Sequence, residues 1–321
     1  EMRVGCVNPT IVAKTEFADW SDGLDFPQLP TPQSGDVLRK MKKVPRFDAT
    51  DGFEFRPVRE LDAANDTALF DTDLSRDDLE VPVLTGASIN IWNPDFGDPY
   101  ARADLRQLTT HLVNKARGTN HHSTSAFLQM GVDSVEDHPF SRARIAFRDI
   151  SRATDTRTAI FCLLPPRTTV VHQSPYLLRR AGSERDEAFF LGIASSIPFD
   201  WYARRWVELH MTFSVLRPMP IPRPEAASSL WQRVVELSGR LGAKDDRFRQ
   251  WAEAVGVAVG SLVEPAERES AVAELDALSA LLYGLDWDDV VHIFETFHRG
   301  WDYTERLAAV QVHFDRWKDS A

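Results

Sequence analysis

Apolar residues in the last third of the chain recur at the spacing of amphipathic helices. In residues 248–255 and again in residues 290–297 they follow the pattern i, i+3, i+4, i+7. A stripe between these segments ends at Gly284, a residue suited to close a helix, and another stripe covers residues 307–317. We predict five helices with short connections in residues 225–321, arranged as a bundle or an arm with the aromatic residues in its core.

Residues 81–224 mix strand patterns with helical ones. Apolar runs rich in β-branched residues predict strands, and longer segments with helical spacing predict helices. The predicted elements in chain order are a strand at 81–92, a helix at 103–117, a polar loop at 118–125, strands at 144–149, 158–164 and 168–172, helices at 189–196 and 198–210, and a last strand at 213–224. This last segment holds four prolines in seven residues, which neither a helix nor a central strand accommodates, so we place a domain boundary at residue 224.

Residues 1–80 are rich in Pro, Asp and Phe, with little periodicity and a basic run from Arg39 to Arg46. We expect irregular structure with short strands there, packed as a lead-in on the part that follows. The predicted fold class is therefore α+β, with the lead-in (1–80), a mixed α/β domain (81–224) and an all-helical carboxy-terminal region (225–321). Because the first residue is Glu rather than Met, we expect a piece of a longer polypeptide.

The charge is distributed unevenly along the chain, so the net charge alone is misleading. The formal net charge of −11 argues against a nucleic-acid partner, because phosphate binding is driven by Lys and Arg. Residues 139–224, however, carry 13 basic against 7 acidic residues, a net charge of +6. Such asymmetry can mark a binding face, and we expect these charges to form one concave face that fits a DNA duplex. An ordinary solvated basic surface is the alternative.

Sequence motifs for several kinds of catalysis are absent. No lysine has an acid two residues before it, which excludes a nuclease of the PD-(D/E)xK type within this sequence. There is also no phosphate-binding loop, no GxGxxG, no HExxH and no GxSxG. Asn93-Pro94-Asp95-Phe96 is the nearest match to an Asn-Pro-Pro-Tyr tetrapeptide, but no Gly-rich loop precedes it, and we interpret it as a turn.

Signals for metal binding, disulfides and membranes are weak. Several histidines and acids around His121 and His122 could in principle hold a metal, although their spacing matches no common ligand pattern. Cys6 and Cys162 suggest neither a disulfide framework nor a CxxC site. The longest apolar run is far shorter than the roughly 20 residues of a membrane helix, and no secretory pattern is present. We therefore expect a cytoplasmic protein without membrane contacts.

The segment at residues 144–158 is the strongest candidate for a binding surface. Along a strand, Arg144 and Arg148 would share one face, so that two guanidinium groups could stand side by side. Arginine suits guanine edges and phosphates through its paired donors, and threonine can donate to phosphates or bases. The candidate DNA-binding residues are Arg144, Arg148, Arg152, Thr154, Thr156 and Arg157, with Lys115, Arg117, Arg204 and Arg205 as secondary basic residues. The alternative is that Arg148 or Arg152 simply pairs with Asp149 or Asp155 at a solvated strand end.

Six segments of the chain follow one another in a characteristic order. They are FRPVRELDAANDTALFD (55–71), VPVLTGASINIWNPDFGDPYA (81–101), RIAFRDISRATDTRT (144–158), FFLGIASSIPFDWYARRWVE (189–208), FSVLRPMPIPRP (213–224) and ELDALSALLYGLDWDDVVHIFETF (274–297). Together they resemble the carboxy-terminal half of type IIG restriction-modification enzymes and related phage-defence adenine methyltransferases. The resemblance lies in the order and spacing of the segments rather than in any one of them.

The resemblance implies a division of labour within a larger enzyme. The parent enzyme would methylate adenine at N6 with S-adenosylmethionine, and this part would bind double-stranded DNA and select the target sequence. The cofactor loop and the base-holding tetrapeptide would lie upstream, so we expect no catalytic residue, cofactor or metal in this chain. We also expect contacts with the methyltransferase domain of the same polypeptide. Whether the parent also cleaves DNA is left open.

Two other functions stay open at this point. One is a metal-dependent hydrolase built around His121 and His122. The other is a protein-interaction module, in which the aromatic helix at 198–210 docks a partner and DNA is irrelevant.

Overall fold

The computed structural model describes residues 26–298 and 300–320. Its helices are α1 (Pro32–Met41), α2 (Leu105–Thr119), α3 (Glu184–Ala194), α4 (Ile197–Ala203), α5 (Phe213–Leu216), α6 (Ser229–Gly242), α7 (Arg249–Val255), α8 (Pro265–Leu282), α9 (Trp287–Glu295) and α10 (Thr304–Trp317). Its strands are β1 (Glu54–Val58), β2 (Val81–Leu84), β3 (Ala101–Ala103), β4 (Arg144–Phe147), β5 (Phe161–Leu164), β6 (Thr169–Val170) and β7 (Tyr176–Ala181). The described residues after β7 form helices and loops, which confirms the predicted α+β class with a helical carboxy-terminal region.

Two small sheets form the centre of the part that mixes helices and strands. The larger sheet has the order β1-β7-β4-β5 with antiparallel pairing, and the smaller has the order β3-β2-β6. Side chains along β4 alternate between two apolar clusters: Ile145 and Phe147 join the main core, whereas Ala146 faces a second core with Tyr176. Because both faces of this sheet are covered, β4 and β5 are fully buried, as predicted for the apolar strand at 158–164.

The carboxy-terminal helices share the main core with the larger sheet. α3 lies against β5, and α6 and α8 pack in turn against α3. The cluster of buried apolar side chains runs from Phe161 in β5 through Phe190 in α3 to Trp231 in α6 and Leu278 in α8. The division into domains at residue 224 stays a prediction, but segments on both sides of it contribute to one core.

The helices predicted after residue 224 are present as α6 to α10. The apolar stripes of residues 248–255 and 290–297 are buried, and Asp286 caps α9 through the backbone N–H of Asp289. α6 and α3 approach closely at Gly192, where an added Cβ would lie 2.1 Å from a side-chain hydroxyl of α6. Glycine is required there for contact between the helices.

Residues 26–80 are more regular than expected. Part of the basic run lies on α1, which Thr31 caps by accepting from the Ser34 N–H. α1 buries Leu38 and Met41 in the main core, so packing overrides a sequence with Ser and Gly in its first turns. β1 is one of the short strands expected in residues 1–80, but the sequence does not indicate its position, because the strand is short and stands at the edge of the sheet. The expectation for residues 1–25 lies outside the described residues.

Two predicted strands are wrong in extent or type. The segment at 213–224 begins with the helix α5, because the Thr212 hydroxyl accepts from the Val215 N–H and starts a helical turn. The strand predicted at 81–92 ends at Leu84, where a capping box begins a single turn of 3₁₀ helix. In both places a local hydroxyl cap competes with the extended backbone that the apolar pattern favours.

A buried ion pair joins the two sheets. Arg144 opens β4, and its Nη2 donates to the Glu60 carboxylate at 2.8 Å and to the Thr168 carbonyl at 2.8 Å. Glu60 also accepts from Thr169 and from the Val170 N–H, both in β6. Arg144 and Glu60 are each 2% exposed, so the expectation of an exposed Arg144 on a DNA-facing strand is wrong. A buried charge needs a counter-charge and hydrogen bonds, and Arg144 has both within the protein.

We predict that Glu187 makes stability depend on pH. This α3 carboxyl is buried, accepts from Trp251 Nε1 at 3.0 Å and lies 3.5 Å from Arg179 Nε, and burial raises its pKa to about 7. The pKa of Glu187 in the folded protein exceeds its ordinary value of 4.5. The contribution of the protonated carboxyl to the free energy of unfolding is therefore complete below pH 4.5 and is lost as the pH rises through 7. Glu187→Gln should remove this loss, which is on the order of 3 kcal/mol.

Urea unfolding at pH 5 and pH 8 tests the prediction on both proteins. Relative to the wild type, the variant should have a higher free energy of unfolding at pH 8 than at pH 5. The change Glu253→Gln, at an exposed carboxyl of α7, is the matched control. Parallel pH profiles for wild type and Glu187→Gln would contradict the assignment.

Candidate nucleic-acid interface

The candidate surface is the 151–158 loop, which connects β4 to β5. An antiparallel bridge between Ile150 and His210 fixes the start of the loop. Beside it the Ser151 N–H donates to the Leu209 carbonyl at 3.1 Å. The loop therefore leaves the sheet from a defined position.

A buried carboxylate holds the end of the loop from inside. Asp200, in the first turn of α4, is fully buried and accepts from the backbone N–H groups of Thr158 at 3.1 Å and Ala159 at 3.0 Å. Its Oδ2 also accepts from Arg157 Nε, and Arg157 Nη2 donates to the Ser195 carbonyl at 2.7 Å. Arg157 is therefore part of the scaffold of the loop, and its donors are directed inward.

Arg204 holds the middle of the loop by its carbonyl groups. Its guanidinium donates to the carbonyl oxygens of Ala153 at 2.9 Å, Asp155 at 2.6 Å and Thr156 at 2.6 Å. The same group lies 4.1 Å from the ring centroid of Phe297, and burial lowers the Arg204 pKa. A buried donor with several acceptors fixes the loop backbone, because leaving any of these groups without a partner is costly.

The side chains of the loop point outward as a result. Arg152, Thr154 and Thr156 are exposed, and the Arg152 side chain has no hydrogen bond or ion pair with the described residues. The backbone N–H of Arg152 donates to Asp155, and its carbonyl accepts from Thr158 Oγ1 at 2.8 Å. One free guanidinium and two hydroxyl groups thus stand on a backbone whose conformation is fixed.

Arg148 lies below the loop, at the end of β4. Its Nη2 donates to the Ile89 carbonyl at 2.6 Å, and its aliphatic part packs against Gly86, where an added Cβ would be 2.9 Å from Arg148 Cγ. Burial lowers the pKa of Arg148, and its Nε has no partner. Arg148 is half-buried, so it can meet a ligand only with the edge of its guanidinium.

The secondary basic residues of the aromatic helix are wrong as surface candidates. Arg204 is 2% exposed and Arg205 is 6% exposed. Arg205 donates to the Trp201 carbonyl at 3.1 Å and to the Gln28 carbonyl at 3.1 Å. Burial and the neighbouring Arg204 lower its pKa to about 10. Both arginines connect segments of the interior.

Lys115 and Arg117 lie on α2 and are exposed, but both are engaged with backbone carbonyls. Lys115 Nζ donates to the Glu60 carbonyl at 2.6 Å, and Arg117 donates to the carbonyls of Val132 and Asp133. They tie α2 to neighbouring segments. With these residues accounted for, the expectation that the positive charge of 139–224 forms one concave face is wrong, because much of that charge is internal.

Two arginines that sequence reasoning missed lie near the loop. Arg59 follows β1, and its guanidinium lies 5.2 Å from the ring centroid of Phe213 in α5. Arg217 closes α5 and is exposed. Phe213 also contacts Phe147 at a centroid distance of 6.4 Å, so α5 and Arg59 lie beside the end of β4, where the chain leads into the loop. No feature of the sequence indicates a role for Arg59, because the short strand β1 that precedes it has no clear apolar pattern.

The tetrapeptide Asn93-Pro94-Asp95-Phe96 forms a turn, as predicted. Asn93 Oδ1 accepts from the Asp95 N–H at 3.2 Å, and the Phe96 N–H donates to the Ser88 carbonyl at 3.1 Å. Asp95 accepts two hydrogen bonds from the guanidinium of Arg247 and lies 2.6 Å from Lys244 Nζ. Arg247 and Lys244 lower the pKa of Asp95 to about 2. The turn is therefore tied to the segment between α6 and α7.

No three His, Cys, Asp or Glu side chains of residues 26–298 and 300–320 come together in a way that could hold a metal ion. The rings of His121 and His122 lie 4.2 Å apart on an exposed loop. His138 is buried, its Nδ1 accepts from the Phe140 N–H, and burial lowers its pKa to about 4. The metal-dependent hydrolase therefore has no site in the described part of the chain. Across the same residues, no helix is long and apolar enough to cross a bilayer.

Comparisons with known proteins give a likeness to solved structures and none to a family model. No protein-family model and no curated protein matches the sequence. Among solved structures, the chain is similar to the type IIL restriction-modification enzyme MmeI in complex with DNA, at 12% sequence identity and a TM-score of 0.39. The match covers 81% of this chain and 38% of that chain. At this TM-score the likeness carries no argument, and the functional proposal depends on the loop.

We predict that Asp200→Asn loosens the 151–158 loop. Neutralising this buried carboxylate leaves Arg157 and Arg204 without their counter-charge, which should cost about 3–5 kcal/mol of unfolding free energy. Trypsin should then cut faster after Arg152 and Arg157, as followed by mass spectrometry together with urea unfolding. Asp155→Asn is the control, because Asp155 is exposed and accepts from the Arg152 backbone. Equal cleavage in both variants would show that Asp200 does not restrain the loop.

Proposed function

We propose that this chain binds double-stranded DNA and selects the target sequence for an adenine-N6 DNA methyltransferase of a restriction-modification or phage-defence system. The observation that carries the DNA-binding part is the 151–158 loop. Its backbone is held by Asp200 and Arg204, and it presents Arg152, Thr154 and Thr156 to solvent. These restraints hold the three exposed side chains in a fixed arrangement, as a preorganised binding surface requires.

The exposed groups of the loop have the chemistry of DNA contacts. Arg152 offers a planar fork of donors that fits phosphate oxygens or the O6 and N7 acceptors of guanine. Thr154 and Thr156 can donate to phosphates or base edges. Because the loop is already ordered, binding costs less conformational entropy than ordering a flexible loop would.

Flanking arginines extend the same surface. Arg148 lies beneath the loop, and Arg59 and Arg217 stand at the same end of the sheet. The net charge of −11 limits DNA to this end of the molecule, since like charges elsewhere repel the duplex. Binding should therefore weaken as the salt concentration rises, with a log–log slope of about −0.9 for each phosphate contacted.

The methyltransferase part of the proposal is supported by the resemblance of the six sequence segments. The Asn93 to Phe96 turn lacks the second proline of the base-holding tetrapeptide, and its Asp95 is engaged by Arg247. We therefore assign the S-adenosylmethionine site and the catalytic residues to a methyltransferase domain and not to this chain. That domain would belong to the same polypeptide and would contact this chain.

We predict that Arg152→Glu weakens DNA binding by about tenfold, because each phosphate or base contact of an arginine is worth about 1–3 kcal/mol. Fluorescence anisotropy with a random duplex of about 30 base pairs measures the affinity, and a salt titration should show the log–log slope smaller by about one. Arg316→Glu is the matched control: this exposed residue of α10 makes the same change in net charge. If both variants lose affinity equally, the loop is not the contact surface.

The full-length enzyme tests the methylation part separately. Sequencing that detects N6-methyladenine should find a fixed target motif with wild type, and the motif should be lost or relaxed with Thr154→Val or Arg152→Glu. Purified chain that binds duplex while the full-length protein leaves no methyladenine would overturn the methyltransferase assignment and leave DNA binding intact.

A further inference from the structure

We propose that the groove between α8 and α10 docks a basic, amphipathic peptide segment of a partner protein. The groove has a volume of about 730 Å³ and lies beside the 151–158 loop, with Thr156 and Arg157 at one end. This volume falls in the range of about 300–1,000 Å³ that is typical of ligand pockets. The groove meets the loop only at Thr156 and Arg157, and its proposed role needs neither DNA nor the methyltransferase assignment.

The floor of the groove is apolar and aromatic. Val272 of α8, Ala309 of α10, Phe297 and Trp301 line it, and Val312 at its edge is 61% exposed. Apolar side chains gathered in a concave surface on a folded protein favour a partner that covers them.

Trp301 is the largest element of this floor and is held rigidly. Its ring stacks on Phe294 at a centroid distance of 5.9 Å and meets Phe297 edge-on at 5.3 Å. The ring is partly exposed toward the groove. A rigid indole offers a surface for aliphatic side chains and for cations such as the guanidinium group.

The rim of the groove is acidic. Glu269 of α8 and Asp302 and Glu305 near the start of α10 are exposed, and none of them forms an ion pair with the described residues. Three carboxylates on one rim produce a negative potential over the apolar floor.

The cations of the groove do not neutralise this rim. Arg306 donates through Nε and Nη2 to the buried Asp276 at 3.0 and 2.8 Å, and Arg157 donates to the buried Asp200. Both guanidinium groups therefore face interior carboxylates. An incoming molecule therefore meets the negative charge of the three rim carboxylates.

This charge decides among possible occupants. A DNA backbone would be repelled by the rim, and a second copy of the chain brings a net charge of −11. Residues 1–25 carry two basic and five acidic residues, so this segment is also of the wrong sign. A segment with arginines or lysines on one face and aliphatic residues on the other complements both the rim and the floor.

A fluorescein-labelled peptide of about 14 residues, roughly four helical turns with leucines on one face and arginines on the other, is the probe. Anisotropy should show saturable binding to the full chain. A peptide with the same composition in scrambled order should bind more weakly, because it cannot place leucines on the floor and arginines on the rim together.

The double variant Glu269→Lys/Glu305→Lys should weaken this binding by about tenfold or more, since reversing two rim charges turns attraction into repulsion. The control Glu225→Lys/Glu253→Lys makes the same change in net charge at exposed positions outside the groove and should have a much smaller effect. Trp301→Ala tests the floor, with thermal unfolding to verify that the variant is folded; Trp301→Phe should restore most of the binding.

Three results would overturn the proposal. One is equal affinity for the designed and scrambled peptides, and another is an equal loss in both double variants, since either indicates attraction to the acidic chain as a whole. The third is a loss of duplex binding in Trp301→Ala with peptide binding unchanged, which would assign the groove to DNA. Unaltered duplex binding in Trp301→Ala, with Arg152→Glu still impaired, keeps the two proposals distinct.

Discussion

The Asp200 carboxylate is the constraint on which the arrangement of the candidate surface depends. A carboxylate without exposed surface must be surrounded by donors, and Asp200 takes them from the 151–158 loop and from Arg157. Arg204, one turn further along, lies 3.6 Å from the same carboxylate and binds the loop carbonyls. Because α4 packs against α9 in the core, the position of the loop follows from the packing of helices that are distant in sequence.

Arginine serves in this protein as an internal connector as much as a surface charge. Arg144 joins two sheets through Glu60, and Arg204 and Arg205 bind backbone carbonyls of separate segments. The guanidinium group suits this role because it has five donors in one plane and stays charged in nearly every environment. A count of basic residues along a segment therefore overestimates the charge that faces solvent, and here it did so for residues 139–224.

The sequence was most informative where one period extends over several turns. The helices after residue 224 follow directly from their apolar spacing, since that spacing determines which face is buried. The apolar run at 158–164 likewise predicts the buried strand β5, although the strand itself covers only Phe161–Leu164. β1 and α1 could not be predicted, because both are short and owe their form to partners far along the chain. In the candidate site, Arg152, Thr154 and Thr156 were identified from their residue types and are exposed. Arg144 and Arg204 have the same residue type as Arg152, but Glu60 and the loop carbonyls, which hold them inside, are distant in sequence.

The ion pairs of Asp95 with Arg247 and Lys244 cross the boundary placed at residue 224. A chimaera of two related chains could be joined at this proline-rich segment. A junction there would combine Asp95 from one parent with residues 244 and 247 from the other, and would divide a shared hydrophobic core as well. Exchange of the 151–158 loop alone, with the residues that bind its backbone kept in place, leaves the Asp95 ion pairs and the shared core intact.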